Sequence, residues 1–442
     1  MESNVSIGLL GLGVVGSGVI KLIENHQKEL AHKLGCAVQV KSVLVRNPDK
    51  ARDVNLNRTL LTTNPDDILN DPEIDIIVEV MGGIEESYKH ILKAFAAKKH
   101  VVTANKDLVA LHGIELQETA TENKCDFYYE ASVAGGIPIL RGIAEGLSSD
   151  RIQKVMGIVN GTTNYILTKM SKEGVSYTDA LNEAQELGFA EADPTADVEG
   201  LDAARKMAIL GRLSFSTNVS LDDVEVKGIS HVDLEDIHYG DKLGYNMKLI
   251  GFAQCEDEQV EVHVQPTLLA KSHPLAQVKD EYNAVYVYGE AVGETMFYGP
   301  GAGSMPTATA VVSDIVSITK NIRLNVNGAQ AVPLRFERKL KSPEEQYSDF
   351  YMRLHVKDEA GVFSTISSLF HEHDISFKRI LQTPMKKLDL AEIIFVTHET
   401  TLGSFRKAME ELYRLDVVLD IKSHYKVEGD VDDELAGTAE TL

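Results

Sequence analysis

Cysteine is scarce in this chain: 442 residues carry three, Cys36, Cys125 and Cys255. They are odd in number, far apart and never in a CxxC spacing. They offer neither a disulfide framework nor a thiolate zinc site, and a reducing cytoplasm is the expected setting. Basic charge is also in short supply. Lys and Arg number 44 against 67 Asp and Glu, a formal net charge of -23, which lacks the clustered cations that a nucleic-acid backbone demands. No apolar run approaches the ~18 residues of a membrane span. The opening MESNVSIGLLGLG has an acid at position 2 and no basic segment ahead of its apolar stretch, so neither a membrane nor export is expected. No internal repeat stands out.

What remains is an ordinary globular composition, 43% hydrophobic and 25% charged, in a chain long enough for two or three domains of ~100–200 residues. VSIGLLGLGVVGSGVIKLIENHQKEL reads as an apolar strand, a turn through Gly11, Gly13 and Gly16, and a helix with apolar spacing at Val15, Val19, Leu22 and Ile23. In that context a GxGxxG turn is a dinucleotide-binding signature. Gly11 makes the tight turn, Gly13 admits a pyrophosphate, and Gly16 lets helix and strand pack, while Val14 and Val15 open the helix whose N-terminus receives the phosphates.

A second buried strand, VQVKSVLV (38–45), leads into RNPDKAR. An NAD-binding chain usually carries an acid here against the ribose 2′-hydroxyl; this one has Arg46, so NADP is expected over NAD, the alternative being a solvated loop arginine. Strand and helix keep alternating through DIIVEVM (75–81), a helix over 88–99, HVVTANK (100–106), a helix near 107–122 and CDFYYEAS (125–132). This predicts a Rossmann-type doubly wound parallel sheet, whose ligands sit beyond the carboxyl ends of the strands. Gly82 and Thr103 fall there. Lys106 does too, and position alone leaves it open between a cofactor contact and an exposed lysine.

Beyond residue 150 the pattern is mixed. RIQKVMGIVNG predicts a strand, TTNYILTKM and YTDALNEAQELG predict helices, and 215–305 reads mainly as strands, which together make an α+β domain. SMPTATAVVSDIVSITKNI (304–322), entered through GPGAG, predicts a helix that returns to the parallel sheet. KLKSPEEQYSD (339–349) breaks the periodicity and reads as a linker. After it, FYMRLHV, GVFSTISSLFHEHD, SFKRILQTP, AEIIFVTHE, LGSFRKAMEELYRL and VVLDIKSHYKV follow the ferredoxin-like βαββαβ order. Phe363, Ile366, Leu369 and Phe370 on the first of its helices, and Phe405, Met409 and Leu412 on the second, are expected core. The expected domains are therefore 1–130 with 304–340, then 131–303, then 348–427, followed by an acidic and disordered tail over 428–442.

Between Gly188 and Lys206 the chain reads GFAEADPTADVEGLDAARK, which crowds Glu191, Asp193, Asp197, Glu199 and Asp202 around one proline. A solvated acidic loop at a helix N-terminus explains several of them. It leaves Asp202 and Lys206 unexplained: they lie four apart, on one face of a helix otherwise rich in Ala, Leu, Ile and Met. An exposed pair of this kind contributes only ~0.3–0.5 kcal/mol. A buried pair is costly unless something binds there. A substrate ammonium would want the carboxylates, and a carbonyl being reduced would want a lysine to donate a proton.

GLGVVGSGV, VVTANK, YEASVAGGIPI, GIVNGTTNYIL, GFAEADPTADVEGLDAARK and GPGAG together resemble homoserine dehydrogenase over nearly the whole chain. The terminal unit, with KDEAGVFSTI (357–366), resembles an ACT domain. The resemblance implies NAD(P)-linked interconversion of L-aspartate 4-semialdehyde and L-homoserine. In it Lys206 is the acid/base, with Lys106 bridging cofactor and substrate and next in line for the proton. Glu191 and Asp202, with Asp197 beside them, hold the substrate, and Gly188 and Gly303 approach the nicotinamide. A monovalent cation, sodium in kind, is implied at Glu130, Val133, Gly135 and Ile137, mostly through backbone oxygens. Threonine is the implied effector, meeting Asp358, Gly361 and Val362, and residues 131–303 become a catalytic and dimerisation domain of a homodimer or homotetramer.

Three other readings stay in view. A phosphorylating aspartate-semialdehyde dehydrogenase needs a thiolate in a glycine-rich turn or at a helix start, a setting none of the three cysteines has. A cofactor-binding sensor would tolerate loss of Lys206. The ACT-like domain, for its part, could serve assembly alone.

Overall fold

The computed structural model describes residues 4–52, 54, 57–328, 337, 339–385 and 390–431. The chain divides into two compact units, one of Met1–Val155, Ala203–Val224 and Tyr282–Glu337, the other of Met156–Asp202, Glu225–Glu281 and Arg338–Leu442.

Its elements begin β1 (Val5–Leu10), α1 (Val14–Asn25), α2 (Gln27–Leu34), β2 (Val38–Leu44), β3 (Leu61–Thr62), α3 (Asp66–Leu69), β4 (Ile76–Glu79) and α4 (Glu85–Ala96). Next come β5 (His100–Thr103), α5 (Lys106–Glu122), β6 (Phe127–Tyr128), α6 (Ile139–Arg141), β7 (Ile152–Ile158), α7 (Gly161–Glu173), α8 (Tyr177–Glu186), α9 (Thr195–Val198) and α10 (Leu201–Phe215). They continue with β8 (Glu225–Val226), α11 (Leu234–Lys242), β9 (Tyr245–Glu256), β10 (Gln259–Ala270), β11 (Tyr282–Gly289), β12 (Gly293–Pro300) and α12 (Ser304–Leu324). The last are β13 (Tyr347–Lys357), α13 (Val362–Glu372), β14 (Phe377–Met385), β15 (Leu390–Thr397), β16 (Thr400–Thr401), α14 (Leu402–Leu412) and β17 (Val418–Glu428).

In the first unit β1 to β6 form a parallel sheet in the order β3-β2-β1-β4-β5-β6. Strands are added outward from β1 on one side and then, from β4, on the other, so a crevice opens outside the carboxyl ends of β1 and β4. Every residue of β1 is buried, as a strand covered on both faces requires. Ile7 and Leu9 share one apolar cluster with Val19 and Ile23 of α1 and with Ala308, Val311 and Ile315 of α12. The expected strand over 125–132 shrinks to Phe127–Tyr128, because the Glu130 N–H donates to the buried carboxylate of Asp314 at 2.9 Å and the chain turns there.

In the second unit β9 and β10 are antiparallel along their length. β10 also takes β17 as a parallel neighbour, from Thr267 against Lys426 to Leu269 against Glu428, and the sheet continues β17-β13-β15-β14. Alternation along β13 gives its two faces different chemistry. Phe350, Met352, Leu354 and Val356 enter the apolar core with α13 and α14. Tyr351 and Arg353 turn to α11, where the fully buried Asp236 accepts from Tyr351 Oη at 3.1 Å and Arg353 Nε at 2.6 Å. Ser423 and Tyr425 of β17 add donors at 2.7 and 3.2 Å. Arg353 also reaches Asp233 at 2.7 Å and Glu392 at 3.1 Å.

Helix α11 falls inside the stretch expected to be mainly strand. It buries only Asp236, Ile237 and Gly240, too little apolar sequence to set up a period. The expected stripe on α13 also shifts: Val362, Ile366, Leu369 and Phe370 are buried while Phe363 is 37% exposed, since the 4-3 spacing runs from Val362. Part of the stretch expected as a disordered tail, residues 428–431, is described. Glu428 closes β17 and Asp430 pairs with Lys378 Nζ at 2.5 Å; residues 432–442 lie outside the described residues.

Buried Lys248 of β9 donates to Asn164 Oδ1 at 2.9 Å and to Val278 O at 2.5 Å. Burial pulls its ammonium down to about 7 from 10.5. Between those values the unfolded chain binds the extra proton, so this group makes stability rise with pH and withdraws that gain as pH falls through about 7. Measured by urea unfolding, wild-type stability relative to Lys248→Met is expected to climb by on the order of 2 kcal/mol from about pH 7 to about pH 9. Parallel pH profiles for the two proteins would contradict it.

Candidate active site

The glycine turn follows β1 directly. Gly11 has φ +105°, and a Cβ there would stand 2.8 Å from Val80 O, so no other residue fits. A Cβ on Gly16 would meet Gly11 O at 2.4 Å. At Gly13 a Cβ would meet nothing within 4 Å, and Val14, the first residue of α1, is 69% exposed. An open glycine under a helix N-terminus is the arrangement that receives a phosphate. Ser304 Oγ donates to Val14 O at 2.8 Å, which brings Gly303, the residue capping α12, to the same place. Gly82 opens outward in the same way as Gly13. Arg46 is exposed just past the end of β2, where buried Val45 gives way to the loop, and Val15 is half-buried.

Glu79, the last residue of β4 and fully buried, organises the next two strand ends. It accepts from Met81 N at 2.8 Å, Ser87 Oγ at 3.1 Å and Thr103 Oγ1 at 2.6 Å. Thr103 in turn accepts from Asn105 N at 3.0 Å, and Asn105 caps α5 through Leu108 N while donating to Gly83 O at 2.6 Å. The chain of bonds fixes Lys106 at the first position of α5. Thr103 is buried and its hydroxyl committed, so it acts as scaffold. Sequence reading missed Glu79, whose only local signal is an acid ending an apolar strand; Asn105 falls in the strand end that the parallel-sheet rule singles out, and the structure shows it as the cap of α5.

Helix α10 carries Asp202 and Lys206, buried at 3% and 8% exposure. Arg205 between them pairs with Asp107 Oδ1 at 2.7 Å, tying α10 to the start of α5 beside Lys106. The chain passes from the second unit to the first after Asp202. Within the second unit, Asp202 Oδ2 accepts from Asn160 Nδ2 at 2.9 Å, and the same nitrogen donates to Asp197 Oδ1 at 2.7 Å. Asp202 and Asp197 are thus brought together. Glu191 and Gly188 are exposed, on the turn that follows α8.

Known proteins converge on one family. Residues 138–316 match the model described as homoserine dehydrogenase, residues 11–130 the homoserine dehydrogenase NAD-binding domain, and residues 350–417 the ACT domain. Homoserine dehydrogenase of Bacillus subtilis (strain 168) is 59% identical across 96% of this chain and 98% of its own. The chain belongs to the homoserine dehydrogenase family. A homoserine dehydrogenase crystal structure from Thiobacillus denitrificans superposes with a TM-score of 0.88 at 37% identity, covering 96% of this chain and 98% of that one. A hyperthermophilic archaeal homoserine dehydrogenase in complex with NADPH gives 0.61 at 26% identity over 75% of this chain and all of its own.

As a homoserine dehydrogenase the chain is an oxidoreductase with a nucleotide-binding domain and an ACT domain. The cation site implied by the family offers oxygen donors. Val133, Gly135 and Ile137 lie on buried or half-buried backbone that turns through left-handed Ala134 and Gly135. Glu130 is buried, its carboxylate accepting Leu140 N and Arg141 N at 2.8 Å each, and desolvation raises its proton affinity. Oxygen is the donor type that a hard cation takes, but both Glu130 carboxylate oxygens and Ile137 O already accept backbone N–H groups. In the ACT domain Asp358 and Gly361 are exposed at the turn into α13, whereas Val362 is buried in the core. Cys125 is buried and burial pushes its thiol up to about 11, the opposite direction from the lowered value that the thiolate of the phosphorylating alternative needs.

Proposed function

We propose that this homoserine dehydrogenase reduces L-aspartate 4-semialdehyde to L-homoserine with NADPH in preference to NADH, and that threonine restrains it through the ACT domain. The observation that carries the reading is helix α10, with Asp202 and Lys206 buried one turn apart on an otherwise apolar surface. Burying an acid and a base on one helix face is costly unless the surroundings supply polar partners, which for Asp202 begin with Asn160 and on this reading include the substrate.

The nicotinamide, when bound, supplies hydride to the aldehyde carbon. Lys206, as the ammonium, gives the carbonyl oxygen its proton, and takes it back as the amine when homoserine is oxidised. Lys106 bridges cofactor and substrate, while Glu191, Asp197 and Asp202 hold the amino-acid end. Gly11, Gly13, Val14, Val15 and Gly16 take the pyrophosphate, and Gly82, Gly188 and Gly303, with Thr103 behind them, line the nicotinamide half. A sodium ion or similar cation at Glu130, Val133, Gly135 and Ile137 would add local positive charge. In this reading residues 1–130 with 304–340 bind the cofactor, 131–303 carry catalysis and dimerisation, and 348–427 regulate through Asp358, Gly361 and Val362. A homodimer or homotetramer in the cytoplasm completes it.

Arg46 and the NADPH complex of the archaeal relative support the cofactor preference. The test is the initial rate of NADPH and NADH oxidation with aspartate semialdehyde, with and without threonine, on wild type and Arg46→Asp. NADPH is expected to be the faster cofactor and threonine to depress the rate. Arg46→Asp is expected to raise the KM for NADPH by roughly tenfold or more while sparing NADH, since a carboxylate repels the 2′-phosphate. An unchanged ratio of the two KM values makes Arg46 a solvated loop residue. A rate indifferent to threonine leaves the ACT domain an assembly element.

A further inference from the structure

We infer that Asn160 is a positioning residue that holds Asp197 and Asp202 as a pair for the ammonium end of the substrate. The inference rests on the role proposed above for Asp202.

Asn160 precedes α7, is 6% exposed, and uses its whole amide. Its Oδ1 accepts from Thr163 N at 2.9 Å, which caps the helix. Its Nδ2 donates at once to Asp197 Oδ1 and Asp202 Oδ2. A planar amide has two N–H bonds pointing apart, so one rigid neutral group can orient two carboxylates without adding charge. Two like charges sharing one donor repel unless positive potential lies nearby, and the N-terminus of α7 provides it. Thr162 extends the arrangement. Its Oγ1 donates to Phe189 O at 2.7 Å and lies 3.3 Å from Asp197 Oδ2, which joins the carboxylates to the chain between Gly188 and Glu191.

Cap and clamp can be separated. Serine and aspartate both cap helices well. Neither has an amide to reach two carboxylates, and aspartate adds a third negative charge beside them. In the full-length enzyme, Asn160→Ser and Asn160→Asp are expected to keep the wild-type melting temperature within a few degrees and to bind NADPH as wild type does. The KM for homoserine is expected to rise roughly tenfold in the serine variant and further in the aspartate variant, with kcat changing less. Wild-type KM in both variants overturns the inference and leaves Asn160 a helix cap. If the serine variant does not fold, the aspartate variant, nearly isosteric with asparagine, decides alone.

Asp202→Asn is measured alongside. A raised KM there with unchanged Asn160 variants removes the clamp alone, whereas an unchanged KM there removes the role of Asp202 and the inference with it.

Discussion

Lys206→Met is expected to leave a folded enzyme that binds NADPH and has lost kcat for aspartate semialdehyde by a factor on the order of 10²–10⁴, the usual contribution of a positioned proton donor. Methionine matches the volume of the lysine stem on a helix face where Lys206 is 8% exposed, so packing survives the change. The loss should fall on kcat in both directions, because the same nitrogen gives the proton in reduction and takes it in oxidation. Lys106→Met is the control. As a bridge between cofactor and substrate, Lys106 should show its loss mainly in KM. If Lys206→Met keeps kcat within a few-fold of wild type while Lys106→Met abolishes it, the proton passes through Lys106.

Arg353→Met is expected to cost about 3–5 kcal/mol of stability, the range for removing one partner of a buried ion pair. The guanidinium is 3% exposed and bonded to Asp236, Asp233 and Glu392. Those bonds hold it firmly in the charged form, Asp236 contributing most against the cost of burial. Without it, Asp236 and Glu392 remain buried with their negative charges uncompensated, and the unfolding midpoint in urea should fall accordingly. Asp236→Asn is a milder lesion, since the amide oxygen still accepts from Arg353, Tyr351 and Ser423. A loss under about 1 kcal/mol for Arg353→Met would mean that water reaches the carboxylates and screens them.

What could be read from the sequence followed the distance between interacting residues. The glycine turn lies within six residues of chain, and the Asp202–Lys206 pair within one helical turn, so local spacing exposes both. The parallel sheet announces itself through repeated strand and helix patterns of similar length. Asn160 could not be found that way, because its carboxylate partners lie 37 and 42 residues on. Arg353 and Asp236 are 117 apart, and Arg353 occupies a strand whose alternation reads as ordinary surface. Glu79 meets Thr103 across 24 residues. In each case a polar residue that looks solvated in sequence is committed to a partner that only the fold supplies.

The parallel join between β10 and β17 decides how the regulatory role proposed for the ACT domain is to be probed. Cutting the chain after residue 347 would look like the removal of a tethered sensor. It would in fact break a sheet: Thr267–Leu269 of β10 would lose their parallel neighbour β17, and Asp233 and Asp236 would lose Arg353. Glu261 would part from Lys426, which now donates to it at 2.7 Å. Deletion would therefore confound lost control with lost integrity. Single replacements on the exposed turn at Asp358 and Gly361 leave every strand in place, so they test the proposed effector site without dismantling the sheet.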